Sequence, residues 1–234
     1  MTTRKTLKAL AKEQIRGNIW KLFLMSLVVG LIAAALTLPG TMASMGSVNR
    51  GITDFYASSV YPATAGLQLS GPAVAFNLLG TVLAWVVSSG FAFGMCRVYL
   101  NLTDGIRPSF EVLFDGFRHI LKMIAVTFLV GLFTFLWTLL LIIPGIVKSY
   151  SYSMAIYIQV ENPDLSPLEA IRRSKEMMVG HKFEFFVLEL SFILWILLGA
   201  ITFGLAYIYI IPYMEATFVN FYKAVSQEGA PAQA

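Results

Sequence analysis

From Met123 to Ile158 the chain is apolar for 36 residues, apart from isolated hydroxyls and one Lys-Ser-Tyr patch, and Pro144-Gly145 breaks it near the middle. As one straight helix this stretch would measure roughly 54 Å, against a bilayer hydrocarbon core of about 30 Å. It must therefore fold back on itself. Proline removes a helical donor and disfavours helix in the residue before it, and glycine tolerates the turn. The segment LLLIIPGIVKSYSYSM, Leu139 to Met154, thus reads as the tip of a helical hairpin. Lys148 falls one turn into the returning helix, where it reads as an anchor whose amine snorkels to the far interface.

Four more apolar segments have spanning length or close to it: Trp20–Leu38, Ala73–Leu100, Phe183–Ile201 and Gly204–Tyr222, the last two joined by a very short turn. Composition agrees. The chain is 57% hydrophobic and 13% charged, where a soluble domain carries roughly 25% charged residues. A soluble fold would lack the polar shell this much apolar surface needs. The net charge of +4 does not point to nucleic acid, because the basic residues lie between apolar runs. With the N-terminus inside, all 17 Lys and Arg except Arg50 and Lys148 fall on the inner side, as the positive-inside rule requires. The expected fold is all-α: a polytopic membrane helix bundle of six transmembrane helices in three hairpins, with amphipathic cytoplasmic surface helices and both termini cytoplasmic. The first apolar run is expected to be a retained span, since its polar leader and apolar core are both too long for a signal peptide.

A single transmembrane domain over 1–234 is expected. Residues 1–19 form an amphipathic N-terminal helix. TLKALAKEQIRG puts Leu7, Leu10, Ala11 and Ile15 on one face and Lys8, Lys12 and Arg16 on another. These three basic residues are the candidates for binding the anionic membrane surface. Residues 39–72 form an outer loop and 225–234 a disordered tail. In SPLEAIRRSKEMMVG, Ser166 suits a cap, Pro167 the first helical position and Glu169 a capping box. Three inner segments end in Gly17, Gly116 and Gly180, each followed three residues later by Trp20, His119 or Phe183. This pattern reads as a threefold repeat of surface helix, glycine elbow and hairpin.

Several stretches in combination carry a resemblance: LFDGFRHILK, LWTLLLIIPGIVKSYSYSMA, ENPDLSPLEAIRRSKEMMVGHKFEFF, LSFILWILLGAITFG and IPYMEATFVNFY. Through them the chain resembles a family of uncharacterised bacterial multi-pass integral membrane proteins, known as a domain of unknown function. The resemblance covers roughly the last half of the chain. It implies an inner-membrane protein and assigns no catalytic residue. Leu194 stands where the family pattern has glycine, which bears on close packing in the fifth helix.

No catalytic constellation is visible. Cys96 is the single cysteine, so no disulfide framework or Cys-rich metal site is expected. His119 and His181 lie 62 residues apart, neither with the i, i+4 partner of a zinc helix. No metal and no cofactor is expected. Gly90 and Gly94 form a GxxxG suited to close packing within the chain. Ionisable groups within a membrane are costly and face a partner or a cavity. Arg97, Glu189 and Glu215 fall at matched depth near the inner leaflet and are expected to meet as a cluster, one carboxylate holding a proton. Lys148, Ser149, Tyr152 and Ser153 form a candidate polar stripe, whose plain alternative is hydroxyls bonded to their own helix. The expected function is a non-catalytic membrane protein, not an enzyme, that organises, assembles or regulates membrane components at the inner leaflet. Its partners are anionic lipids of the bilayer and a membrane protein or second copy of itself, not nucleic acid. The alternative is a small transporter or permease for a small solute or lipid.

Overall fold

The computed structural model describes residues 3–36 and 71–228. The outer loop expected at 39–72 lies outside the described residues except for Gly71 and Pro72, which open a helix. Of the tail expected at 225–234, the residues up to Glu228 are helical, and the rest lie outside.

Among the described residues there is no strand. The elements are α1 (Arg4–Ile15), α2 (Ile19–Leu36), α3 (Gly71–Thr103), a 3₁₀ helix (Glu111–His119), α4 (Ile120–Leu140), α5 (Ile142–Tyr152), α6 (Ala155–Glu161), α7 (Pro167–Met177), α8 (Lys182–Leu190), α9 (Ile193–Ile201) and α10 (Tyr207–Glu228). They fall into two compact units, Met1–Ser26 with Ser89–Ala234, and Leu27–Ser88. In the second unit, Gly80 of α3 lies beside the carbonyl of Leu36 of α2, where an added Cβ would come within 3.2 Å.

Among the described residues, four helical stretches are long and apolar enough to cross a membrane: Ile19–Leu36, Leu78–Thr103, Glu111–Leu140 and Lys182–Ile201. The sequence suggested six. The returning limb of the Met123–Ile158 hairpin is broken at Ser153–Met154 into α5 and α6, each too short alone. α10 has the length, but Glu215, Asn220 and Lys223 dilute its apolar character. The chain is nonetheless that of a membrane protein.

The hairpin tip comes three residues earlier than Pro144-Gly145. α4 ends at Leu140, Leu141 is extended (φ −158°, ψ 137°), and α5 begins at Ile142. Pro144 therefore sits in the first turn of α5, where a backbone N–H has no intrahelical partner to lose. Gly145 serves contact rather than turning. A Cβ there would strike Thr138 of α4, with its Cα at 2.7 Å and Cβ at 2.9 Å.

Lys182–Ile201 breaks at Ser191-Phe192 between α8 and α9. Leu194 faces outward, 76% exposed, so no close packing is lost at that point. The tight glycine of α9 is Gly199, whose missing Cβ leaves room for the Tyr207 ring. The turn to α10 contains Phe203, with φ 49° and 99% exposure, and Gly204, with φ 91°.

The glycine elbows match at two of three places. Gly17 and Gly180 both take left-handed backbone, at φ 85° and 86°, a conformation that favours glycine. Gly116 instead lies inside the 3₁₀ helix, against the carbonyl of Gly90, and Gly94 packs on Leu113. The GxxxG of α3 is thus used within the chain.

α1 docks its apolar face on α10. Leu7, Ala11 and Ile15 are buried, while Leu10 stays exposed. Burying each of the two large aliphatics stabilises by roughly 1.5–3 kcal/mol. Gln14 and Asn220 exchange amide hydrogen bonds across this contact, at 3.1 and 2.8 Å. α7 is capped as its sequence suggests, with the Ser166 hydroxyl accepting from Glu169 N at 3.3 Å and Pro167 at the helix start. The Glu169 carboxylate does not complete the capping box. It turns to Arg172 (2.7 Å) and Arg173 (3.0 Å) instead. Ser174, fully buried, donates to the Ser151 carbonyl at 2.8 Å and ties α7 to the end of α5.

Candidate functional site

Helix ends expose carbonyls that need donors, and the end of α6 has an unusual supply of them. Arg97 of α3 donates to Val160 O at 2.8 Å. Lys122 of α4 donates to Pro163 O at 2.7 Å. Gln159 donates to Leu165 O at 3.1 Å. The two cations also complement the negative end of the helix dipole. Beside them, Glu161 accepts from the Tyr222 hydroxyl at 2.6 Å and pairs with Lys223 at 2.8 Å. Lys223 also reaches Asp104, at the end of α3, at 3.5 Å. Burial acts to lower the Lys223 pKa, but Glu161 and Asp104 outweigh it and raise it. Tyr222 stacks on Tyr157 with centroids 5.3 Å apart. The ends of α3, α6 and α10 are thereby locked together at the base of the hairpins.

Sequence reading missed Glu161, Asp104 and Tyr222. The available signal was an acidic residue closing one apolar run (Glu161) and a lysine closing another (Lys223). Their pairing depends on which helices are neighbours.

Among the described residues, no hydrogen bond or ion pair joins the Arg97, Glu189 and Glu215 expected to cluster. Arg97 is engaged with a backbone carbonyl. Glu189 accepts from the Tyr150 hydroxyl at 2.6 Å. Among the described residues, Glu215 makes no hydrogen bond or ion pair. Depth along a helix follows from residue count, but which neighbour each face meets does not. Cys96 and Tyr99, three apart on one face of α3, lie within the field of Glu215. Arg97 is turned about 100° from Cys96.

The serines of the polar stripe bond to their own helix. Ser149 donates to Ile146 O at 2.7 Å and Ser153 to Tyr150 O at 2.9 Å. Tyr152 is buried near Phe133. Lys148 places its ammonium over the Trp137 ring, 4.7 Å from the centroid, a cation–π contact within the α4–α5 hairpin.

The basic face of α1 is divided. Lys8 is half-buried, with its Nζ 4.2 Å from the Phe192 ring centroid and 3.5 Å from Ser191 O at the α8–α9 break. Burial, with Arg4 and Lys12 nearby, lowers its pKa. Lys12 lies 5.5 Å over Tyr213 while remaining exposed, and Arg16 is exposed. His181 stands between Glu184 (3.1 Å) and Glu228 (3.7 Å), beside a cavity of about 520 Å³ lined by Arg173, Glu176 and Ser226. Among the described residues no group of three or more side chains is placed to hold a metal.

The α6–α7 loop, the α5 tip and the α10 base belong to one contiguous block of sequence. Residues 138–229 match the model of a family described as Protein of unknown function (DUF975). The C-terminal part of the chain is therefore similar to an uncharacterised family. The block includes the Thr138–Gly145 contact, Glu161 with its two partners on α10, and the Ser166 cap. No curated protein and no solved structure matches the chain.

Proposed function

We propose that this is a non-catalytic multi-pass protein of the bacterial inner membrane, with six helices in three hairpins and cytoplasmic termini. It organises, assembles or regulates other membrane components at the inner leaflet. The observation that carries this reading is where its polar groups are spent. Arg97 and Lys122 serve backbone carbonyls, Glu161 and Lys223 serve each other, and Ser149 and Ser153 serve their own helix. This is the wiring of a rigid framework with docking faces. Anionic lipid is one partner, held by Lys12, Arg16 and the other exposed basic groups at the base. A membrane protein or a second copy of the chain is the other. Native purification in mild detergent, followed by mass spectrometry of protein and lipid, tests the reading. Co-purification of a stoichiometric membrane partner with anionic lipid supports it, and uptake of a solute by vesicles holding only this protein refutes it.

One observation favours the alternative, a small transporter or permease. Two helical segments, α5–α6 and α8–α9, are interrupted, and Tyr150 bonds Glu189 between them. Discontinuous helices with ionisable groups nearby are the common architecture of secondary transporters. Loss of vesicle uptake in Glu189→Gln, with folding intact, would select this reading.

A further inference from the structure

The turn from α9 to α10 is apolar and bonds its own backbone donors. Every backbone N–H from Thr202 to Tyr209 has an acceptor within the turn and its flanks. Thr202 bonds Leu198 O, Phe203 bonds Ala200 O, Gly204 bonds Gly199 O and Leu205 bonds Thr202 O. Tyr207, Ile208 and Tyr209 bond the carbonyls of Gly204, Leu205 and Ala206. Ala206 N is the exception to backbone pairing, and it is met by the Thr202 hydroxyl at 3.1 Å. Water can satisfy such donors in a surface loop, whereas in hydrocarbon they must be met within the protein. The side chains agree, for Ile201, Phe203 and Leu205 are 74%, 99% and 72% exposed.

The α4–α5 tip is also apolar and exposed. Leu139 to Ile143 are five consecutive aliphatic residues, each 63–76% exposed. Thr138 gives its hydroxyl to Thr134 O, and Leu141 N bonds Trp137 O. No charged side chain occurs between Lys122 and Lys148, or between Glu189 and Glu215. The depths also coincide. Leu141 is 19 residues beyond Lys122, and Ile201 is 19 beyond Lys182. That is roughly 28 Å of helix rise in each case, just short of a hydrocarbon core of about 30 Å. Lys122, bound to Pro163 O, closes the base of the first hairpin.

We infer that both C-terminal hairpins end inside the bilayer, with Leu139–Ile143 and Ile201–Leu205 among the acyl chains of the far leaflet instead of surfacing as loops. The inference rests on the membrane reading above and deepens it. The occupant of these apolar tips is lipid, since the first continues the exposed apolar surface of α4 at Phe128, Leu132 and Phe135, and the second that of α9 at Leu194, Leu197 and Leu198. Lys148 is then an intramembrane lysine, with Trp137 as its partner and its stem long enough to snorkel outward.

Site-directed spin labelling in phospholipid nanodiscs tests this, using the full chain with Cys96→Ala and one of Leu141→Cys, Phe203→Cys, Leu132→Cys or Glu13→Cys. Each position is scored by collision with oxygen, which concentrates in hydrocarbon, and with a water-soluble nickel chelate. Labels at 141 and 203 should resemble the label at 132, with an oxygen-to-nickel ratio several-fold above that at exposed residue 13. Tips open to nickel while position 132 is shielded would overturn the inference and leave the membrane reading standing. Nickel access at 132 as well would overturn both. Tips shielded from both reagents would mean that protein covers them, which also overturns the assignment to lipid.

Discussion

Replacing Gly145 by alanine adds a single methyl group, and the α4–α5 contact leaves no room for it. The new Cβ would lie 2.7 Å from Thr138 Cα and 2.9 Å from Thr138 Cβ, and closer still to the Thr138 hydroxyl. The hydroxyl can rotate away, but the Cα is backbone, so the two helices must separate at the hairpin neck. Forcing a methyl group into a packed contact costs typically about 1–3 kcal/mol. Alanine would return up to about 1 kcal/mol through its better helix propensity. The expected net is a loss of roughly 0–3 kcal/mol, which is too wide to interpret without a reference. Gly131 supplies the reference, because it is also helical, in α4, and nothing lies within 4 Å of its missing Cβ. Gly131→Ala should gain up to about 1 kcal/mol from propensity alone. The informative quantity is the gap between the two variants, about 1–3 kcal/mol, in which propensity cancels. Reversible unfolding of bicelle-reconstituted protein by titration with SDS, followed by far-ultraviolet circular dichroism, measures it. Gly145→Ala and Gly131→Ala of equal stability would falsify the close-approach account and return Gly145 to a turn role.

Thr202→Val keeps shape but leaves Ala206 N without its acceptor; a loss of about 1–3 kcal/mol is expected in the same titration, with Thr202→Ser largely restoring stability. Ser166→Ala removes the α7 cap and should cost about 1 kcal/mol. Arg172 first, then Arg173, holds the Glu169 carboxyl at about 2, below its ordinary 4.5. A folded value below the unfolded one contributes stability above pH 4.5 that is lost as pH falls toward 2; the thermal midpoint should drop across that window, and drop less in Glu169→Gln. Arg97→Ala and Glu215→Gln remove side chains that no hydrogen bond or ion pair joins in the structure, so a double-mutant cycle should be additive within about 0.5 kcal/mol, whereas a coupling of several kcal/mol would restore the ion-paired cluster.

Local features were readable because they depend on neighbours in sequence. The 36-residue apolar run had to fold back because its length exceeds the membrane. Ser166-Pro167 had to start a helix because cap and fixed φ act within one turn. Gly17 and Gly180 had to follow helices because each allows the left-handed backbone found there. Pairing between helices was decided by the tertiary structure alone. The depth of Arg97, Glu189 and Glu215 could be counted at 1.5 Å per residue, but which neighbouring helix each one faces could not. Arg97 went to the open carbonyls of α6 instead, and the ion pair formed between Glu161 and Lys223. Lys8 and Lys12 looked like a membrane-facing stripe, yet docking the apolar face of α1 on α10 brings both over aromatic rings. Gly145 was placed at a turn because Pro-Gly punctuates sequence so strongly. The chain turns at Leu141 because Pro144 fits the first turn of the new helix, and the glycine is needed four residues past Leu141, where α4 and α5 touch.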